Sequence, residues 1–379
     1  MTGKIQRDMV RVTTDQALAF RLSRQRLAGS STEAVDVVAG AAGGIQAQVA
    51  AASRLALGVR IADLAPGDVD TALEDSRTIV KAWSMRGAAH LLPARDLPNY
   101  LGALERPLAL HEERWLSERG LDLDDCRRLL DEVESLLDTP KTRQELGASI
   151  RATLGNEYAE LVEHSWGGML KRACYEGRIC FGPQRGQQVT FVRTRDWLGE
   201  FEIPPQDSAL AWLLQHYLKS YAPATISDFA YWSGLPVAVV RPVLDSIPGR
   251  VVPVSVDGAE ALALEEDAGD LLTGQKGPVR TNLLPNFDSY LMGHRDKSSL
   301  VGACHYKKVF RVAGWVSQVV LVGGRIAGTW EQTPKRGHLG VVVSLFEPQP
   351  DEVCARIEEE ACVVAHFLGA PRAQVVYKT

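Results

Sequence analysis

Ile179-Cys180-Phe181-Gly182-Pro183-Gln184-Arg185-Gly186-Gln187-Gln188-Val189-Thr190-Phe191-Val192 is the stretch whose reading decides the fold. Two short runs of β-branched, aromatic and other apolar residues flank a turn holding two glycines and a proline, which reads as strand, turn, strand. Arg185 stands at the tip. Two helices are expected before it, over 142–154 and 162–176, separated by the polar break Gly155-Asn156-Glu157. Helix, turn, helix and then a ribbon with a cationic tip is the winged-helix pattern. In such a unit Trp166, Lys171 and Arg172 lie on the recognition helix, where basic residues can reach phosphates or base edges.

The same order occurs twice more. Upstream, Thr13 or Thr14 with Asp15 offers an N-cap for a helix over 16–27. Helices over 31–39, from about residue 48, and over 68–74 follow, and strands over 79–83 and 88–92 then flank Met85-Arg86-Gly87. Helices over 94–118 and 123–137 fill the middle. Downstream, helices over 208–220, 225–233 and 237–246 precede a ribbon over 251–256 and 261–264. Three helix-plus-ribbon units of similar length suggest a tandem array, without internal sequence similarity. Beyond residue 271 the pattern changes to strands over 310–312, 316–321, 325–331 and 339–346, with a basic hairpin tip over 332–338 and a final helix over 351–368. The expected fold class is therefore α+β. Winged-helix units are expected at 1–93, 94–204 and 205–270, with a β-rich, barrel-like C-terminal domain at 271–379.

The chain has 379 residues, 45% of them apolar, and a net charge of −5. No apolar run is long enough for a membrane span and no secretory signal is visible, so a cytoplasmic protein without a membrane partner is expected. The six cysteines form no Cys-x-x-Cys, which suits reduced thiols and gives no zinc or other metal site. Cations nevertheless cluster. Residues 166–196 carry six Lys/Arg against two acids, and residues 294–311 carry five against Asp296. Such patches on an acidic chain make either a directional electrostatic face or ordinary solvated surface.

One further stretch carries chemistry: Gly43-Gly44-Ile45-Gln46-Ala47-Gln48-Val49. Residues two apart diverge on a helix but share one side of an extended segment. If both amides serve one site, the segment is a turn or the approach to a helix, with the glycine pair supplying backbone freedom. Spacing alone leaves open a solvated helix start. Phosphate-loop, dinucleotide, serine-hydrolase and zinc-peptidase motifs are all missing, so those chemistries have no support. Asp288 and His294 are polar groups in apolar surroundings; a structural role in turns is favoured over acid and base.

Three blocks together, Gly44-Ile-Gln-Ala-Gln48, Trp83-Ser-Met-Arg-Gly-Ala-Ala-His90-Leu-Leu-Pro93 and Leu284-Pro-Asn-Phe-Asp-Ser-Tyr-Leu-Met-Gly-His-Arg-Asp-Lys297, resemble the tandem winged-helix DNA glycosylases of the AlkZ type. The blocks come in the family's order and the resemblance covers nearly the whole chain. It implies a monofunctional glycosylase that hydrolyses the N-glycosidic bond of N7-alkylated purines, including bulky adducts or interstrand cross-links, in DNA repair or genotoxin resistance. The family's Gln-x-Gln or Gln-x-Asp signature maps onto Gln46 and Gln48 as catalytic residues, here without the carboxylate of the other branch. Expected DNA contacts are Arg86, His90, Lys171, Arg172 and Arg185, then His294, Arg295 and Lys297 near the lesion, and Lys335 and Arg336 for groove insertion. The partner is double-stranded DNA carrying alkylated purines; no cofactor and no obligate protein partner are expected. A non-catalytic winged-helix regulator or lesion-binding protein is the competing reading.

Overall fold

A computed structural model describes residues 9–164, 168–273 and 279–378, so Trp166 lies outside the described residues. Strand β1 (Val10–Val12) leads into the helix Thr14–Arg24, where Thr13 and Gln16 form a reciprocal capping box. The helix ends before residue 27 because Arg26 turns into the left-handed region at φ 58°. Its neighbour is Val35–Ala41 rather than 31–39, since the Ser31 amide bonds to the Arg60 carbonyl. A two-residue strand β2 (Ile45–Gln46) and the helix Ala50–Gly58 follow. Strands β3 (Ile79–Trp83) and β4 (Ala89–Pro93) make the expected ribbon, and β2 joins it in the order β2-β4-β3.

The second helical group comprises Leu97–Ser117, Leu123–Ser135 and Arg143–Thr153, the last two opening on capping boxes at Asp122 and Thr142. The expected helix over 162–176 is instead two. Gly155, at φ 105°, starts Asn156–Glu163, and a separate helix covers Gly168–Tyr175. The polar triplet thus begins a helix, because glycine there can take a conformation closed to other residues. Strands β5 (Lys141–Thr142), β6 (Ile179–Phe181) and β7 (Thr190–Arg193) form a sheet ordered β5-β7-β6.

The third group holds Gln206–Tyr221 and Ile226–Ser233. The expected helix over 237–246 is broken at Pro242 into Val237–Val240 and Val243–Ser246, as a ring without an N–H requires. Strands β8 (Val251–Val256) and β9 (Ala259–Leu264) pair antiparallel, and β1 adds to β8 in parallel.

Strands β10 (Thr281–Leu284), β11 (Val319–Val322), β12 (Arg325–Lys335), β13 (His338–Leu345) and β14 (Ala373–Tyr377) form one sheet in chain order. The barrel-like closure expected for this region is corrected. Among the described residues the sheet is open, with β10 and β14 as its edges, and the helix Asp351–Phe367 packs against both edge strands. That helix occupies the face a closed sheet would enclose. The expected strand over 310–312 reduces to one bridge between Phe310 and Val316. One core joins this sheet to the N-terminal helices, with Leu18, Leu22, Ile45 and Leu91 packed among Leu283, Trp330, Ile357 and Phe367. A Cβ on Gly58 would sit 2.4 Å from Phe367 Cδ2, so the two helices meet at van der Waals distance only because that position is glycine.

Candidate active site

The glycine pair does what its position requires. Gly43 and Gly44 have φ of 70° and 88°, and turn the chain from the helix Val35–Ala41 into β2. Neither tolerates a side chain: a Cβ on Gly43 would lie 2.9 Å from Tyr221 Cε2, and one on Gly44 2.8 Å from Leu92 Cδ2. Gln46 then pairs across the sheet with His90 and is 7% exposed. Gln48 lies past the strand and is exposed.

The two amides meet. Gln46 Nε2 donates to Gln48 Oε1 at 2.8 Å, and Gln46 Oε1 accepts from Arg86 Nη2 at 3.3 Å. A guanidinium can only donate, so the atom Gln46 turns toward Arg86 is its oxygen. Its NH₂ then faces Gln48, which must answer with oxygen. Arg86 thereby fixes the orientation of both amides. What stays open to solvent is the Gln48 NH₂ and the second lone pair of its Oε1.

Arg86 is itself held. It adopts φ 56°, its Nη1 donates to the Trp232 carbonyl, and a Cβ on Gly234 would come within 3.0 Å of its backbone. Burial lowers its pKa, with Tyr231 and Tyr221 acting in the opposite direction. His90 is buried, with Nδ1 3.0 Å from the Ala88 carbonyl. Burial first, and Arg86 second, push its pKa down to about 3, so it is neutral across the physiological range.

The third sequence block clamps this turn from behind. Ser289 Oγ donates to the Gly44 carbonyl at 2.7 Å, and the Tyr221 hydroxyl donates to the Ala42 carbonyl at 2.8 Å. Asp288 caps the short helix Ser289–Met292 and pairs through both oxygens with Arg60 at 2.7 Å, both side chains being fully buried. That settles its role as structural.

The AlkZ-like family, described as "DNA glycosylase AlkZ-like", matches residues 39–367, a span that includes all three blocks. The chain belongs to this family of DNA glycosylases. A curated relative, the interstrand DNA cross-link repair glycosylase of Streptomyces sahachiroi, is 30% identical over 371 residues, which is 95% of this chain and 98% of that protein. The solved structure of Streptomyces sahachiroi DNA glycosylase AlkZ superposes with a TM-score of 0.86 at 28% identity, covering 97% of this chain and 100% of that one.

The other residues singled out in this AlkZ-like glycosylase fall into three settings. Lys171 lies beside the turn between β3 and β4: its Nζ is 3.7 Å from where a Cβ on Gly87 would stand. His294 and Lys297 are buried. His294 Nε2 is 3.4 Å from the Pro223 carbonyl, and burial takes its pKa well below the usual value. Lys297 Nζ donates to the Leu291 and His294 carbonyls and sits 5.0 Å from the Tyr231 ring centroid; burial takes its pKa down to about 7. As placed, both face protein atoms.

The remainder lie outside the amide network. Arg172 Nε donates to Glu176 at 2.6 Å, and Arg185 donates to Glu145 at 2.9 Å. Arg295 is exposed, its backbone N–H donating to Asp228 Oδ1 at 2.8 Å. Lys335 and Arg336 are exposed at the turn between β12 and β13, with Lys335 opposite His338. Sequence reading missed Tyr221, Trp232, Gly234 and Ser289, whose contacts reach the site across long stretches of chain. Among the described residues no group of His, Cys, Asp and Glu is placed to hold a metal, and no helix is long and apolar enough to cross a membrane.

Proposed function

We propose that the chain hydrolyses the N-glycosidic bond of N7-alkylated purines in double-stranded DNA, including bulky adducts and interstrand cross-links. The observation that carries this reading is the Gln46–Gln48 amide pair, oriented by Arg86 on a turn that admits no side chains. The names of the relatives agree with it, one being a repair glycosylase for interstrand cross-links.

An N7-alkylated purine is cationic, so breaking the C1′–N9 bond returns its electron pair to a ring that becomes neutral. No strong acid is needed at the leaving group. The remaining task is to bring a water oxygen to C1′ of an oxocarbenium-like sugar, with the water proton passing to solvent. Gln48 Oε1, through its free lone pair, accepts a hydrogen bond from that water, and Gln46 holds Gln48 in place. Neutral amides abstract protons weakly, so the acceleration rests on positioning and oriented dipoles. Bases that are not cationic should survive. The product is an abasic site and a free purine. The sequence around Gln46 carries no aromatic-rich pocket motif, so in this reading a bulky or cross-linked purine is excised with little flipping.

The three helix-plus-sheet groups serve in this reading as winged-helix units at 1–93, 94–204 and 205–270, with 271–379 as the C-terminal domain. The exposed cations Arg295, Lys335 and Arg336, with Lys171, hold phosphates, giving salt-sensitive binding. A cytoplasmic role in repair or genotoxin resistance fits a chain of this composition.

Incubating the protein with duplex containing N7-methylguanine tests the reading. Free base and alkali-labile sites should appear, and Gln46→Ala and Gln48→Ala should each slow release by about a hundredfold, the scale of losing one oriented polar group. DNA binding without base release from any N7-alkylpurine would instead mean a non-catalytic lesion binder.

A further inference from the structure

Between the third block and β11 the chain pushes apolar and aromatic side chains into solvent. Val312 is 92% exposed, Tyr306 43% and Trp315 42%. The turn that presents Val312 is closed: the Arg311 N–H donates to the Trp315 carbonyl at 2.8 Å, while Ala313 and Gly314 take φ of 59° and 74°. A left-handed alanine costs stability and a bare Val312 side chain adds none, so the fold gains nothing internal from this turn.

We propose that residues 306–315 form a second DNA contact that holds an unstacked base beside the lesion. Val312 enters the base stack, Tyr306 and Trp315 offer ring faces to the displaced base, and Lys307 and Arg311 take the flanking phosphates. The inference rests on the glycosylase reading above, because it supposes DNA at the neighbouring amide pair.

Three observations select this occupant. The first is charge. Tyr306, Lys307, Phe310, Arg311, Val312 and Trp315 line one open groove that holds no carboxylate. Among the described residues no ion pair engages Lys307 or Arg311. Aromatic faces between unneutralised cations suit a polyanion with flat bases, since every base has a face to stack.

The second is continuity with the candidate site. The Phe310 ring lies 5.5 Å from the Lys297 ammonium, which also lies 5.0 Å from the Tyr231 ring. The next residue, Trp232, takes the hydrogen bond of Arg86, which orients Gln46. The groove and the amide pair thus bound one run of contacts. The third is ring availability. Trp315 meets Phe287 at 78°, so that neighbour covers at most one face of the indole. A small apolar wedge with basic flanks is the means by which proteins open base steps, and a step distorted by an adduct opens at less cost.

Anisotropy titrations with two duplexes, one fully paired and one carrying a single unpaired adenine, test the proposal. Wild type should prefer the bulged duplex. Tyr306→Ala/Trp315→Ala should weaken that binding by about tenfold or more, the usual effect of losing a stacking ring, while Trp315→Phe keeps most of it. Val312 is 92% exposed, so Val312→Asp removes almost no packing, and it should weaken the bulged duplex more than the paired one. Lys307→Ala/Arg311→Ala should weaken both duplexes and lower the salt slope by roughly two. The proposal is overturned if Tyr306→Ala/Trp315→Ala and Val312→Asp bind the bulged duplex as wild type does. It is equally overturned if those variants change only self-association or binding to anionic vesicles. Release of N7-methylguanine from the paired duplex is scored separately, so failure of the glycosylase reading shows as no release by wild type.

Discussion

The family resemblance implies Arg86 as a DNA contact, while in the structure its guanidinium reaches the Trp232 carbonyl and Gln46 Oε1. Without it, Gln46 loses a donor-only neighbour that dictates which way its amide faces, and Gln48 loses its orientation in turn. Arg86→Met keeps length and removes every donor. We expect single-turnover excision of N7-methylguanine to fall by roughly ten- to a hundredfold, the scale of misplacing a positioned group, with DNA affinity nearly unchanged. Because Arg86 acts through Gln46, the same change in a Gln46→Ala background should cost little more, which a double-mutant cycle reads directly. Multiplicative losses would show that Arg86 acts on DNA by itself.

The Gly43-Gly44 turn delivers the amides, and its two requirements can be separated. Gly44→Ala meets both a left-handed φ of 88° and a neighbour at 2.8 Å, whereas Gly120→Ala meets a φ of 77° with nothing within 4 Å. Conformation alone should cost about 1 kcal/mol at Gly120, and the added overlap about 1–3 kcal/mol more at Gly44, read from urea midpoints. Equal losses would mean that Leu92 moves aside freely. At the β12–β13 turn, Lys335→Ala/Arg336→Ala should leave stability unchanged but lower the DNA salt slope by roughly two. These elements also show what the sequence discloses. The ribbon of β3 and β4 is legible because its apolar run is bounded by turn residues, and the Gly-Gly approach to Gln46 because left-handed glycines are short-range signals. Strand β2 is two residues long and offers no periodicity. The parallel addition of β1 to β8, and the bond from Ser289 to the Gly44 carbonyl 245 residues away, rest on tertiary packing that no local pattern encodes. Pro242 was a readable helix break that the apolar spacing around it concealed.

Across the whole molecule, buried ionisable groups tie its integrity to pH. His90 is held at about 3 and His216 at about 4, and His294 lies well below its ordinary value, burial being the main cause in each case. Unfolded, each binds a proton near pH 6.5; folded, none does until far lower. Between those values the unfolded chain carries more protons, so stability falls as pH falls. From pH 7 to pH 5 His90 and His216 each cost about 2 kcal/mol, together about 4 kcal/mol, and His294 acts in the same direction. Glu360 acts in the opposite sense, its carboxyl raised to about 7 by burial, so the folded chain gains a proton on acidification that the unfolded chain does not. That returns about 2 kcal/mol, leaving a net loss of about 2 kcal/mol before the contribution of His294, a sizeable share of the typical 5–15 kcal/mol of a folded domain. We therefore expect urea midpoints to drop steeply from pH 7 to pH 5, and excision to fail together with folding. His216→Phe keeps a ring stacked on Trp212, 4.6 Å away in the native pair, and should recover about 2 kcal/mol at pH 5 with no gain at pH 8. A midpoint that does not move between pH 7 and pH 5 would mean that these imidazoles gain protons without unfolding the chain, and that water reaches them in the native state.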